Sequence, residues 1–100
     1  MIMESFNQLI QSEKPVLVDF FATWCGPCKA MEPVIKDVAK TVEGKVRVVK
    51  VDIDKQHQIA SQYNVSAVPT FMIFKNGNMI WRHPGMIDKS SLLKMLHQHA

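Results

Sequence analysis

The chain has 100 residues, a length typical of a single domain that buries its own hydrophobic core. Its composition, 47% apolar and 21% charged, is that of a globular protein, and no apolar run approaches the ~18 residues that span a bilayer. The net charge of +3 comes from scattered lysines, which excludes a basic nucleic-acid-binding surface. The start of the chain has no basic or apolar segment typical of a signal peptide, and this predicts a cytoplasmic protein without a membrane partner.

The first half of the chain predicts a strand between two helices. Apolar residues at helical spacing predict a short helix over residues 5–11, with Ser5 as its N-cap. The run Val16–Phe21 is apolar apart from Asp19, as expected of a central strand that is covered on both faces. An amphipathic pattern from residue 29 to residue 42 then predicts the second helix.

The next segment predicts a strand that lies parallel to the first. Residues 46–52 are rich in valine and strongly apolar. A helix separates this run from the strand at 16–21, and such a connection joins parallel strands. Apolar residues between 59 and 63 predict a short third helix.

The last third of the chain predicts a hairpin and a helix. Strands at 70–75 and 79–83 flank Asn76-Gly77, a dipeptide that suits a two-residue hairpin turn. Asp88 is the predicted N-cap of the final helix. The fold class predicted from this order is α/β: one domain over residues 1–100, with a central mixed sheet and helices on its faces.

Both cysteines of the chain lie in the segment Trp24-Cys25-Gly26-Pro27-Cys28. Thiols at this spacing can close into a small disulfide ring and reopen, and can therefore store two electrons. The helical pattern begins here, so Cys25 lies at a helix N-terminus, where the helix dipole favours a thiolate. Pro27 suits a first helical turn, and Gly26 lets the backbone of a partner approach. Cys25 is the predicted nucleophile, and Cys28 the resolving thiol.

Two other interpretations of the cysteine pair are less favoured. A structural zinc site commonly needs four ligands, and the histidines lack the usual spacing of a ligating His pair. These histidines are His57, His83, His97 and His99. A buried inert pair is the second alternative, but Cys-x-x-Cys beside a strand–helix–strand pattern is typical of redox motifs. We therefore predict no metal.

Asp19 is the second residue for which the sequence predicts chemistry. A carboxylate within an apolar strand is costly unless it is paired or protonated. Asp19 precedes Cys25 by one strand length and could exchange protons with Cys28. Lys50, in the neighbouring parallel strand, is the predicted counter-charge. The alternative is a structural Asp19 whose side chain reaches a helix end or a water molecule.

The chain resembles the thioredoxin family in several segments, which align with the family's motifs in the same order along the chain. These segments are Val16 to Lys29 with its Trp-Cys-Gly-Pro-Cys motif, Pro33, Lys50-Val51-Asp52, Val68-Pro69-Thr70, Phe74 to Gly77, and Gly85. The resemblance extends from about Ser5 to the C-terminus, and the motif is highly specific. It implies the thioredoxin fold, with a shortened first edge strand because Met1 to Met3 can supply little of it.

The resemblance also implies what the site does. It implies a dithiol–disulfide oxidoreductase that reduces protein disulfides through Cys25 and Cys28 without a bound cofactor. Asp19, together with Lys50, becomes a buried acid/base that helps to deprotonate Cys28. The Val68–Pro69 peptide bond is implied to be cis and to face the disulfide. The implied docking surface consists of Trp24, Gly26, Pro27, Ala67, Val68, Pro69 and Gly85.

The implied partners are disulfide-containing protein substrates and an NADPH-dependent thioredoxin reductase. The Gly-Pro dipeptide between the cysteines resembles that of reducing family members. Departures from the family pattern at Phe21, Ala67, Pro84 and Met86 concern the docking surface rather than the chemistry. Two other functions stay open: a binding subunit that uses the docking face without turnover, and an exported thiol oxidase or isomerase.

Overall fold

Four helices and four strands lie along residues 3–100, the part of the chain that the computed structural model describes. Their bounds are α1 (Met3–Leu9), β1 (Val16–Phe21), α2 (Gly26–Thr41), β2 (Arg47–Asp52), α3 (His57–Gln62), β3 (Thr70–Lys75), β4 (Asn78–Pro84) and α4 (Lys89–Gln98). The predicted shortening of a first edge strand concerns Met1 to Met3. Residues 1 and 2 lie outside the described residues, and Met3 belongs to α1.

The four strands form one mixed sheet in the order β2-β1-β3-β4. β1 lies parallel to β2 and antiparallel to β3, and β3 forms an antiparallel hairpin with β4. The predicted parallel pair and the predicted hairpin are both confirmed. In this register Asp19 on β1 lies directly beside Lys50 on β2 and Phe71 on β3.

Helices cover both faces of the sheet, which explains why β1 is apolar on both sides. Successive side chains of a strand point to opposite faces. Leu17 packs into a core formed with α2 and α4, whereas Val16 and Val18 pack into a second core formed with α1 and α3. The same alternation places Asp19 on the α2 side of the sheet, together with Leu17.

The first helix differs from its prediction at both ends. It begins at Met3 rather than after Ser5, so the predicted cap at Ser5 is wrong. Met3 packs against the buried cluster around Phe6, and this tertiary contact extends the helix beyond its local start signal. The helix ends at Leu9, and the carbonyl of Ile10 just beyond it accepts a hydrogen bond from the N–H of Gly77 in the hairpin turn.

The turn and cap signals in the last third of the chain are confirmed. Asn76 and Gly77 have φ values of 52° and 83°, the positive values that a type I′ turn requires at both central residues. Asp88 caps α4 by accepting a hydrogen bond from the N–H of Ser91 at 3.2 Å. These signals are local, since each depends on residues within one turn of chain.

Candidate active site

Cys25 and Cys28 lie where the central strand is followed by the 16-residue helix α2. β1 ends at Phe21, and Cys25 is the N-cap residue of α2, as the sequence predicts. The two cysteines form a disulfide with their Cα atoms 5.2 Å apart. Cys25 is 5% exposed and Cys28 is 7% exposed, so accessibility alone does not distinguish their roles.

The first turn of α2 favours negative charge on Cys25. The N–H of Cys28 donates a hydrogen bond to Sγ of Cys25 at 3.1 Å. The N–H groups of a first helical turn have no partners within the helix, and the helix dipole adds partial positive charge there. Pro27 occupies this turn, where the missing N–H of proline costs no hydrogen bond. A Cys25 thiolate would therefore be stabilised at this position.

A loop between α3 and β3 brings backbone groups to the disulfide. The carbonyl oxygen of Val68 lies 3.6 Å from Sγ of Cys25, and the Val68–Pro69 peptide bond is cis. The carbonyl of Ala67 accepts a hydrogen bond from the hydroxyl of Thr70 at 2.6 Å. The N–H of Gly85, which has φ of +92°, donates to the carbonyl of Pro69 at 2.7 Å.

An exposed surface surrounds the disulfide. Trp24 is 68% exposed, and its indole N–H donates to Oδ2 of Asp54 at 2.8 Å. Gly26, Pro27 and Ala67 are also exposed. A side chain added at Gly26 would meet no atom within 4 Å, so this face of the motif is open. The structure thus gathers the predicted docking residues from three separate stretches of the chain.

Asp19 is buried without a hydrogen-bond partner on one of its oxygens. The residue is 4% exposed, and its Oδ1 atom has no partner among the described residues. Burial disfavours the charged form and raises the pKa of Asp19 from 3.8 to about 6. Two nearby charges shift this pKa by smaller amounts than burial does. The positive charge of Lys50 lowers it, and the negative charge of Glu32 raises it.

Lys50 lies beside Asp19, as predicted, but forms no ion pair with it. The one ion pair within residues 3–100 joins Lys89 and Asp37. The ammonium group of Lys50 instead lies 4.4 Å from the centre of the Phe21 ring, an arrangement typical of a cation–π contact. The aromatic ring stabilises the cation at the sheet edge, where its charge still acts on Asp19 through space.

Glu32 was not predicted as a site residue. It projects from α2 into a groove of 220 Å³ that Lys50 lines from β2. In the sequence, Glu32 lies four residues before Lys36, a spacing typical of a pair on the solvent-exposed face of a helix. The packing of α2 on the sheet brings its charge within reach of Asp19, and no sequence pattern specifies that distance.

Asp54 was also missed, although a local signal exists. It follows the carboxyl end of β2, a position where polar residues often reach a functional surface. The side chain of Asp52 accepts hydrogen bonds from the N–H groups of Asp54 and Lys55 at 2.9 and 3.3 Å, which fixes this turn. Its partner Trp24 lies 30 residues earlier in the chain, so the contact itself could not be read from the sequence.

The rest of the described chain offers no competing metal site. Between residues 3 and 100, no group of three or more histidine, cysteine or acidic side chains could hold a metal ion. Over the same residues, every helix is too short or too polar to cross a bilayer.

The sequence model of the thioredoxin family matches residues 1–98. The chain belongs to the thioredoxin family. Among curated thioredoxins, the chain is 45% identical to thioredoxin 1 of Nostoc sp. over 93% of this chain and 87% of that protein. It is 46% identical to chloroplastic thioredoxin Y of Oryza sativa subsp. japonica over 92% of this chain, and it spans 55% of that longer protein.

A solved thioredoxin shares the same architecture. The crystal structure of the thioredoxin of Malassezia sympodialis superposes with a TM-score of 0.89, at 42% identity over 98% of this chain and 85% of that one. The thioredoxin fold implied by the sequence is therefore confirmed. The Cys25–Cys28 pair is the redox-active disulfide of a thiol–disulfide oxidoreductase, and thioredoxins of this kind reduce protein disulfides. The two alternative functions gain no better support from these findings.

Replacement of Asp19 should remove a pH dependence of stability. The folded chain keeps the Asp19 proton up to a pKa of about 6, whereas the unfolded chain loses it near 3.8. The free energy of unfolding should therefore fall as the pH rises from about 4 to about 6, by about 3 kcal/mol in total. Asn cannot ionise, so Asp19→Asn should lose this component when urea unfolding of the oxidised form is measured across that range.

An exposed carboxylate provides the control for this experiment. Asp37 on α2 forms the exposed ion pair with Lys89, and Asp37→Asn should keep the slope of the wild type. An Asp19→Asn variant that loses stability with pH as steeply as the wild type would show that another group is responsible.

Charge changes around Asp19 should move its pKa in opposite directions. Glu32→Gln removes a negative charge and should lower the pKa of Asp19, whereas Lys50→Met removes a positive charge and should raise it. The carboxyl carbon of Asp19, followed by NMR through a pH titration, reports this value directly. Glu43→Gln, at an exposed position after α2, is the control that should leave the pKa of Asp19 unchanged. Shifts of the same sign in both groove variants would be incompatible with a charge effect.

Proposed function

We propose that Cys25 is the nucleophile of this thiol–disulfide oxidoreductase and that Cys28 resolves the intermediate. The observation that carries the proposal is the hydrogen bond from the N–H of Cys28 to Sγ of Cys25 at the N-terminus of α2. This donor stabilises a thiolate on Cys25, the attacking species in disulfide exchange. Cys28 lies inside the first turn of α2, so its own sulfur is not at the helix end where a thiolate is stabilised.

The reaction then proceeds by two exchanges. The thiolate of Cys25 attacks one sulfur of a substrate disulfide, and the other substrate sulfur leaves as a thiolate. Cys28 loses its proton and attacks Sγ of Cys25 in the mixed disulfide. The second substrate thiolate leaves, and the Cys25–Cys28 disulfide forms. The substrate gains two electrons, and the pair of cysteines loses two.

Asp19 is proposed as the base that accepts the proton of Cys28. With a pKa of about 6, the carboxyl group is largely ionised at neutral pH and is basic enough to take up a proton. No hydrogen bond joins Asp19 to Cys28 within the described residues, so the proton would pass through water. Lys50 limits the rise of the Asp19 pKa and thereby keeps the carboxylate available.

The proposed docking surface is the exposed rim around the disulfide. The carbonyl of Val68 beside Cys25 would accept a hydrogen bond from an extended substrate backbone. Trp24, Gly26, Pro27 and Ala67 provide the exposed contact area, and Pro69 and Gly85 shape its edge. An unhindered approach at Gly26 supports this assignment.

The proposal extends to partners and location. Disulfide-containing proteins are the substrates, and an NADPH-dependent thioredoxin reductase would return electrons to the pair. We place the protein in the cytoplasm, where thiols are kept reduced and a catalytic disulfide is transient. Residues 1–100 would act as a single domain, which is consistent with a family match over residues 1–98.

Single replacements of the cysteines test the assignment of roles. Cys28→Ser should accumulate mixed disulfides with substrate proteins, because Cys25 can still attack but the intermediate cannot be resolved. Cys25→Ser should reduce no disulfide and trap no substrate. Non-reducing electrophoresis and intact-mass measurement distinguish the two. Trapping by Cys25→Ser, together with its absence from Cys28→Ser, would reverse the proposed roles.

The role of Asp19 is tested by the rate of resolution. Asp19→Asn should slow resolution of a preformed mixed disulfide by about 10-fold or more at pH 7, because the proton of Cys28 loses its acceptor. Stopped-flow measurement between pH 6 and pH 9 should show the difference shrink as hydroxide takes over deprotonation. Unchanged kinetics across this range would make Asp19 a purely structural residue.

A further inference from the structure

Arg82 connects β4 to the segment that leads into the active-site loop. Its Nη1 donates to the carbonyl of Tyr63, and its Nη2 donates to the carbonyl of Asn64 at 2.9 Å. These carbonyls lie just beyond the end of α3 at Gln62, outside the helical hydrogen bonds. An arginine fork can satisfy two neighbouring acceptors at once. The guanidinium therefore holds the chain just after α3 from a different element of the fold.

We propose that Arg82 is a positioning residue for protein substrates. It fixes the start of the loop at residues 64–69, whose other end contacts Cys25. The inference rests on the proposed function, since it concerns the same docking surface. It adds a residue that touches neither the disulfide nor the substrate and acts through the backbone of the loop.

The segment 82–85 holds both ends of this loop. At the start, Arg82 binds the carbonyl of Asn64, and at the end, the N–H of Gly85 donates to the carbonyl of Pro69 at 2.7 Å. Between these anchors, the carbonyl of Val68 lies 3.6 Å from Sγ of Cys25. A shift at either anchor would move the backbone that a substrate is proposed to pair with.

Two backbone hydrogen bonds close the end of α3, from the N–H of Asn64 to the carbonyl of Ser61 and from the N–H of Val65 to the carbonyl of Ala60, and Arg82 adds an anchor from outside this turn. α3 has only six residues, and a helix of that length is not stable by itself. Asn64 has φ of 53°, the left-handed conformation that asparagine adopts more readily than other residues with a side chain and that often ends a helix. The ring of Tyr63 packs edge-on against Phe6 and Phe74. Those contacts hold the ring, whereas Arg82 holds the carbonyls that follow.

The start of the loop that Arg82 anchors also lines a cleft that a polypeptide substrate could enter. Asn64, Val65 and Ser66 line a cleft of 510 Å³ together with Asp54, the residue that binds the indole of Trp24. The chain that flanks a disulfide in a protein substrate would extend along this cleft. A small disulfide has no such chain and needs only Cys25. Arg82 should therefore affect protein disulfides selectively.

The test compares Arg82→Ala with Arg47→Ala in the full chain. Arg47 is the other arginine, and it is exposed on β2, where its replacement removes the same charge without touching the loop. Each protein, fully reduced, is mixed with an excess of insulin or of hydroxyethyl disulfide, and oxidation of Cys25 and Cys28 is followed in a single turnover. Two substrate thiols leave for each disulfide that forms in the protein, so no other reductant is needed.

Arg82→Ala should raise the half-saturating insulin concentration about tenfold, a change that the loss of one charge-assisted hydrogen bond can cause. Its rate with hydroxyethyl disulfide should stay close to that of the wild type. Arg47→Ala should match the wild type with both substrates. Arg82→Lys should fall between wild type and Arg82→Ala, because an ammonium group is a single donor centre and not a fork.

Equal losses with both substrates would give Arg82 a general structural role and overturn the proposal, as would an unchanged response to insulin. Urea unfolding establishes that the variants are folded under assay conditions. If Arg82→Ala does not fold, Arg82→Lys carries the same comparison between substrates. A different result would contradict the proposed function itself, namely disulfide reduction by the Cys25→Ser variant.

Discussion

The active site depends on a sulfur atom that serves as the acceptor for the first turn of a helix. The N–H groups at the start of α2 need acceptors, and Sγ of Cys25 takes the hydrogen bond from Cys28 at 3.1 Å. A hydroxyl or carboxylate oxygen usually fills this position. Because sulfur is the acceptor here, the hydrogen bond that caps the start of α2 is also the one that favours a thiolate on Cys25. Stability of the helix start and reactivity of the nucleophile thus share one contact.

The docking surface forms because segments distant in sequence meet at this helix start. The loop at residues 64–69 contacts Cys25 through the carbonyl of Val68, and β4 with the turn after it holds that loop. Gly85 supplies one anchor through its backbone, at φ of +92°, and Arg82 supplies the other through its side chain. The hairpin therefore acts as a frame for the loop, although neither of its strands carries a cysteine.

Asp19 shows how the same fold accommodates a costly buried carboxyl group. Its position in the central strand removes it from water and raises its pKa to about 6. Lys50 and Glu32 act on it with opposite signs from one groove, so the final pKa reflects a balance. A full ion pair with Lys50 would have kept the carboxylate charged and would have made it a weak base. The cation–π contact with Phe21 instead leaves the ammonium near Asp19 but not bonded to it.

The sequence by itself determined the order of elements, the Asn76-Gly77 turn, the Asp88 cap, the position of Cys25 at a helix start, and the family. Each follows from periodicity or from groups within one turn of chain. It also placed Lys50 beside Asp19, because parallel strands in a strand–helix–strand unit are neighbours. Only the tertiary structure decided that Lys50 lies over Phe21, that Glu32 acts on Asp19, that Trp24 bonds Asp54, and that Arg82 holds the loop. Those contacts depend on how elements pack at distances of a few ångströms, and spacing along the chain does not specify such distances.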